Sequence, residues 1–119
     1  MPKYVVLYRF TTQGATNITE TVKRARQSRM ENERRGFKTD ALLWTQGPYD
    51  LVAIINAPSE DAMMGAMMNI VGAGNVSSTT MRAFDENEMG KVIAGASGGA
   101  ARAAAAKPAA RPKARARKK

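Results

Sequence analysis

The chain has 119 residues, enough for one domain with a modest core. It contains neither cysteine nor histidine, which excludes disulfides, thiolate nucleophiles, imidazole bases and the commonest transition-metal ligands. The net charge of +9 resides in residues 90–119, which carry nine basic and no acidic side chains, whereas residues 1–89 carry ten of each. We therefore predict a neutral folded domain followed by a polycation, with no metal and no cofactor.

The first part of the chain predicts one strand and one long helix. Residues 4–10 are rich in β-branched and aromatic side chains, which favour a strand, and residues 11–14 follow as a turn. A helix is predicted over residues 16–35, with Gly36 as its stop. Its narrow apolar stripe consists of Ile18, Val22 and Ala25.

The rest of residues 1–93 predicts a hairpin, a helix, a fourth strand and a short third helix. The hairpin turn is Gly47-Pro48-Tyr49-Asp50, because proline and glycine both favour tight turns. Ser59 is predicted to cap the second helix, with acidic residues in its first turn. The predicted ranges are 38–45 and 51–57 for the hairpin strands, 59–71 for the second helix, 76–84 for the fourth strand and 85–93 for the third helix.

This order of elements, βαββαβ, predicts a ferredoxin-like α+β fold with a four-stranded antiparallel sheet and both helices on one face. The first and third strands are apolar on both faces. Because the helices cover only one face, the other must meet an apolar surface, and a second copy of the chain is the simplest candidate. We therefore predict a homodimer with its two sheets packed face to face.

Two segments resemble the GYD-domain family. One is the Trp44-Thr45-Gln46-Gly47-Pro48-Tyr49-Asp50 turn with the apolar strand that follows it, and the other is the fourth strand, from Gly74-Asn75-Val76 to Arg82-Ala83-Phe84. The resemblance covers about residues 2–89 and implies a dimeric α/β-barrel type of ferredoxin-like fold. It implies no particular activity, and the basic tail lies outside the family pattern.

Five side chains of the domain are candidates for a small-molecule site: Trp44, Tyr49, Asp50, Thr80 and Arg82. Tyr49 and Asp50 could form a polar pair at a pocket mouth, or Asp50 could bond turn amides while Tyr49 packs. Thr80 and Arg82 share one face of the fourth strand with Ser78, which suggests a small polar pocket or a barrel rim. Arg24 and Arg29 could bind an anion, but we predict that they lie on a solvated helix face.

The sequence divides into a domain at 1–89, a glycine-rich linker at 90–99 and a basic tail at 100–119. The tail consists of alanine, lysine, arginine and proline, so it is predicted to be disordered and to bind nucleic acid non-specifically through phosphates. The predicted contacts are Arg102, Lys107, Arg111, Lys113, Arg115, Arg117, Lys118 and Lys119.

No apolar run approaches the roughly 18 residues that cross a bilayer, and the first residues lack a signal-peptide layout. We expect a cytoplasmic protein without a membrane partner, and the tail allows association with the nucleoid. The predicted function is a small homodimeric binding module with a nucleic-acid-binding tail. The alternatives are a cofactor-free enzyme of monooxygenase or isomerase type that uses Tyr49, Asp50 and Arg82, a small-molecule sensor that uses the barrel cavity, and a structural dimer that presents two polycations.

Overall fold

Four antiparallel strands form one sheet in the order β2-β3-β1-β4, as the ferredoxin-like topology requires. The computed structural model describes the backbone of residues 1–106 and the side chains of residues 1–96. It divides into two units, and the sheet lies within the first, Met1–Phe84. The strands are β1 (Lys3–Phe10), β2 (Lys38–Trp44), β3 (Leu51–Asn56) and β4 (Val76–Ala83). The predicted fold is confirmed.

The segment between β1 and β2 contains three helical elements instead of the single predicted helix over residues 16–35. These are α1 (Thr12–Thr16), a 3₁₀ turn (Ile18–Glu20) and α2 (Thr21–Arg34). The predicted turn at 11–14 was wrong, because the Thr11 hydroxyl accepts a hydrogen bond from the Gly14 amide and caps α1. Asn17 has non-helical backbone angles and separates α1 from the 3₁₀ turn.

Gly14 is required by a close approach between α1 and the turn before β4. A Cβ at Gly14 would lie 2.0 Å from the carbonyl oxygen of Asn75, so no larger residue fits there without a backbone shift. The Thr11 hydroxyl donates to the Gly74 carbonyl at 2.6 Å, and the Thr11 amide donates to the Asn75 carbonyl at 3.1 Å. These contacts fix the start of α1 beside the start of β4.

The second crossover helix, α3 (Glu60–Gly72), agrees closely with the prediction. Ser59 is its N-cap and accepts a hydrogen bond from the Ala62 amide at 3.0 Å. Glu60 and Asp61 lie in the first turn, where the helix dipole favours acidic side chains. Met63, Ala66 and Met67 are buried against the sheet.

The sheet has an inner face that belongs to the core and an outer face that does not. We define the inner face by the buried side chains of its two central strands, which are Tyr4, Val6, Tyr8, Leu51, Ala53 and Ile55. Helix α3 packs there, but α2 contributes no buried residue. The predicted apolar stripe of the first helix is therefore wrong, since Ile18 and Val22 are exposed.

The outer face is apolar at its centre, and no helix of residues 1–84 covers it. Val5, Leu7, Val52 and Ile54 are only partly buried, and they alternate with the inner-face residues along β1 and β3. The strand pairing places Ala41, Leu43, Thr79 and Met81 on the same face, because these residues pair with Ile54, Val52, Leu7 and Val5. Leu43 is 59% exposed and Met81 is 44% exposed.

The second unit begins at Asp85 and contains α4 (Glu86–Ala106). The Asp85 carboxylate accepts from the Glu88 amide at 2.7 Å, and the Glu88 carboxylate accepts from the Asp85 amide at 3.0 Å. This reciprocal pair is a capping box and confirms Asp85 as the cap. The helix is longer than predicted and ends at Ala106, because alanine favours helix. It includes residues 90–99, which were predicted to be a linker. Within residues 1–106, no helix combines the length and hydropathy that a membrane crossing requires.

Candidate functional site

Asp50 has a structural role at the end of the hairpin. Its carboxylate accepts a hydrogen bond from the Phe10 amide, its own amide donates to the Tyr8 carbonyl, and both distances are 2.8 Å. The Asp50 carbonyl accepts from the Thr45 amide at 2.8 Å. Asp50 therefore connects the turn to the end of β1, whereas the structural alternative for this residue had its side chain bonding turn amides.

We expect Asp50→Ala to destabilise the domain by about 1–3 kcal/mol, because the partly buried Phe10 amide loses its acceptor. The melting temperature should fall by roughly 4–8 °C per kcal/mol for a domain of this size, as measured by circular dichroism. Asp50→Asn keeps one oxygen in place and should recover part of the loss. An unchanged melting temperature in both variants would contradict the structural assignment.

Tyr49 and Trp44 also make local contacts near the hairpin turn. The Arg9 guanidinium lies 4.7 Å from the centre of the Tyr49 ring, which is a cation–π distance. The Trp44 indole N–H donates to the Thr21 hydroxyl at 3.1 Å and so connects β2 to the start of α2. Trp44 thus reaches the helix side of the sheet, whereas Tyr49 pairs with an exposed arginine.

Thr80 and Arg82 lie on β4, separated from Trp44 on β2 by the two central strands. The Arg82 guanidinium lies 4.3 Å from the Phe84 ring centre and donates to the Lys3 and Ala83 carbonyls. Thr80 and Ser78 line a shallow groove against the methionines of α3. The predicted side chains therefore form two separate groups, and the structure does not bring the five together.

One cleft of the first unit lies between α2, α3 and the inner face, and its volume is about 360 Å³. Its floor is apolar and includes Tyr8, Leu51 and Ile55. The side formed by α2 is polar. It carries Thr21, Arg24, Ser28 and Asn32, which are spaced three or four residues apart and share one helix face, and the C-cap residue Arg35 follows them along the cleft.

Two polar groups in this cleft lack partners among the described residues. One guanidinium nitrogen of Arg24, Nη1, donates to the Asn17 carbonyl at 2.9 Å, but the other, Nη2, is buried without an acceptor. Tyr8 is 7% exposed as a residue; its hydroxyl takes part in none of the hydrogen bonds of the described side chains and, unlike Arg24 Nη2, is not itself a fully buried atom. Burial raises the pKa of Tyr8 to about 12, so the hydroxyl stays protonated and can donate.

The sequence did not identify this cleft as the candidate site. Arg24 and Arg29 were predicted to lie on a solvated face, but both are partly buried and line the cleft. The available signal was the polar repeat at positions 21, 24, 28 and 32 of α2, which continues where an apolar stripe would be expected. No cluster of acidic residues suited to a metal ion occurs in the described part of the chain.

The predicted nucleic-acid contacts lie at the end of the chain. Arg102 belongs to the backbone of α4, whose side chains are described only as far as residue 96. The other seven predicted contacts fall in residues 107–119, outside the described residues. The tail assignment therefore stays a prediction from charge and composition.

Comparison with known proteins places these features in a family. A protein of Thermus thermophilus named glutamine synthetase and cystathionine beta-lyase binding protein is 30% identical over 84 residues, which cover 70% of this chain and 88% of that protein. The crystal structure of MtbAldR has a TM-score of 0.56 at 10% identity and covers 71% of this chain, which spans about half (52%) of that one; this likeness concerns the fold. The family model described as GYD domain matches residues 4–93, and the chain belongs to the GYD domain family.

Proposed function

We propose that this chain is a homodimeric binding module whose domain holds partner proteins and whose basic tail binds nucleic acid. The observation that carries the proposal is the apolar outer face of the sheet, which no helix of residues 1–84 covers. Val5, Leu7, Val52 and Ile54 form its centre, and Leu43 and Met81 extend it to the strands on either side. Single exposed apolar residues are common on protein surfaces, but a continuous apolar sheet face marks an interface.

A second copy of the chain is the occupant that best suits this face. A two-fold axis through the sheet would place the same apolar residues opposite one another, so the surface is complementary to itself without further elements. The inner face is already used by α3 and the core. The dimer would leave the cleft, α2 and α3 accessible on the other side of each sheet.

The proposal of protein partners follows from the relative's name. The Thermus protein is named for binding glutamine synthetase and cystathionine beta-lyase, and we propose that this chain likewise binds enzymes. The enzyme alternative has less support, because Asp50 bonds the Phe10 amide, Tyr49 lies under Arg9, and Arg82 lies on the far strand.

Dimerisation is tested by multi-angle light scattering of the full chain at micromolar concentration. We expect twice the 12.8 kDa mass of one chain. A folded species with the monomer mass under these conditions would contradict the proposed dimer.

Protein binding is tested separately, by titrating purified glutamine synthetase from the same organism with the full chain and with residues 1–99 in a calorimeter. We expect the full chain and residues 1–99 to bind glutamine synthetase with equal affinity, because the proposed contact belongs to the domain. If neither the full chain nor residues 1–99 bound glutamine synthetase, an interaction with this enzyme would be contradicted. Binding by the full chain alone would assign the contact to the tail.

A further inference from the structure

We propose that the cleft between α2 and the inner face binds a small amphipathic carboxylate. The carboxylate would accept hydrogen bonds from Arg24 and Tyr8, and the apolar body would lie along the floor at Leu51 and Ile55. This site is on the opposite side of the sheet from the proposed dimer interface. The inference therefore does not depend on the proposed function.

The polarity of the cleft calls for a ligand with two different sides. A helix that covers a sheet normally presents an apolar stripe to it, but α2 presents Thr21, Ser28 and Asn32 and has no buried residue. Across the cleft, the sheet presents the apolar side chains of its core. A molecule that is polar on one side and apolar on the other satisfies both walls, whereas α2 by itself cannot seal the floor.

The unpartnered donors of the cleft suit an anionic group. Arg24 Nη2 is buried and has no acceptor in the described residues, which is unusual because buried donors are nearly always paired. Tyr8 is more than nine-tenths buried and places a second donor in the same cleft. A guanidinium edge and a protonated phenol match the oxygens of a carboxylate.

The remaining charges and the size of the cleft agree with this assignment. Its charged lining residues are Arg24, Arg29 and Arg35 against Glu31 alone, so the site favours anions. The volume of about 360 Å³ lies in the lower part of the range of small-molecule pockets, roughly 300–1,000 Å³. A carboxylic acid with a medium-length hydrocarbon or a single aromatic system therefore fits better than a nucleotide or a long lipid.

Octanoate and its neutral isostere octanamide are suitable probes, measured by calorimetry and by tryptophan fluorescence. Trp44 is the single tryptophan, and its indole bonds Thr21 at the cleft, so its emission should change on binding. We expect octanoate to bind at least about tenfold more tightly than octanamide, because charge-assisted hydrogen bonds contribute that much or more. Equal affinities, or no binding of octanoate, would overturn the proposal.

Matched variants distinguish the site from general charge effects. Arg24→Met should weaken octanoate binding at least about tenfold and remove the preference over octanamide, whereas Arg26→Met, an exposed arginine on the same helix outside the cleft, should change neither. Tyr8→Phe should weaken octanoate binding about two- to tenfold. Equal effects of Arg24→Met and Arg26→Met would overturn the assignment.

Arg24 also donates a hydrogen bond to the Asn17 carbonyl, which precedes α2, so Arg24→Met could disturb folding. In that case the comparison of octanoate with octanamide in the unaltered protein and in Tyr8→Phe decides the question. A preference for octanoate that Tyr8→Phe reduces supports the site, and a Tyr8→Phe protein indistinguishable from the unaltered one overturns it. Light scattering on the same samples measures their mass, so the proposed dimer is tested independently of octanoate binding.

Discussion

We expect deletion of residues 100–119 to abolish binding to duplex DNA and to leave the domain folded. This result is expected because residues 90–119 carry nine basic and no acidic side chains, while residues 1–89 are neutral overall. The core cluster lies between Tyr4 and Met67, so the deletion removes none of its members. The melting temperature of residues 1–99 should therefore stay close to that of the full chain.

The binding of the full chain should depend steeply on salt. Neutralising six to nine phosphates releases their counterions, so log affinity should fall against log salt concentration with a slope of about −5 to −8 per chain. This corresponds to a loss of about 10³- to 10⁵-fold between 50 and 200 mM salt. Fluorescence anisotropy with a labelled duplex of random sequence measures both quantities, and a dimer should gain further avidity from its second tail.

Two tail variants separate charge from sequence. A tail with residues 100–119 in scrambled order should bind as tightly as the native one, because phosphate contacts carry no sequence information. A tail of the same length with lysine and arginine replaced by glutamine should not bind. If residues 1–99 bound as tightly as the full chain, the determinant would lie on the exposed cations of α2, such as Lys23 and Arg26, and not on the tail.

The fold could be predicted from the sequence because its signals are local and repeat along the chain. Alternation in residues 4–10 and 51–57, the proline-glycine turn between the hairpin strands and the serine cap of α3 each specify an element from neighbouring residues alone. The crossover rule then left few topologies to consider. The single long helix over residues 16–35 was wrong because Asn17 has non-helical backbone angles and interrupts it, and α1 begins at Thr11, whose contacts with Gly74 and Asn75 are remote in sequence.

The candidate site was harder to predict because it depends on which helix face meets the sheet. The role of Asp50 follows from its pairing with the Phe10 amide, 40 residues away, and no local pattern specifies that pairing. The cleft arises because α2 turns Thr21, Arg24 and Ser28 toward the sheet. In the sequence, these residues read as the polar side of an amphipathic helix, whose apolar side was assigned to Ala25, which lines the cleft, and to Ile18 and Val22, which are exposed.

Replacing Leu7 with lysine should convert the proposed dimer to monomer without unfolding the domain. Leu7 lies on β1 at the centre of the outer face and pairs with Val52 and Thr79. The two-fold symmetry would bury two unpaired lysines in one interface, so the dimer dissociation constant should rise by about 10³-fold or more, or about 4 kcal/mol. Light scattering and circular dichroism of the same sample measure mass and folding together.

Neighbouring and matched substitutions test which face of the sheet forms the proposed dimer interface. Val6 is fully buried on the inner face, so Val6→Lys should unfold the domain instead of dissociating a folded dimer. Met81 and Met30 are 44% and 48% exposed in one chain, and only Met81 lies on the outer face. Lysine at either position costs the monomer little, so Met81→Lys should weaken the dimer and Met30→Lys should not. A face-to-face sheet dimer must bury the outer face and leave α2 free. If Met81→Lys and Met30→Lys affected the dimer equally, and Leu7→Lys were still dimeric, the interface would lie elsewhere.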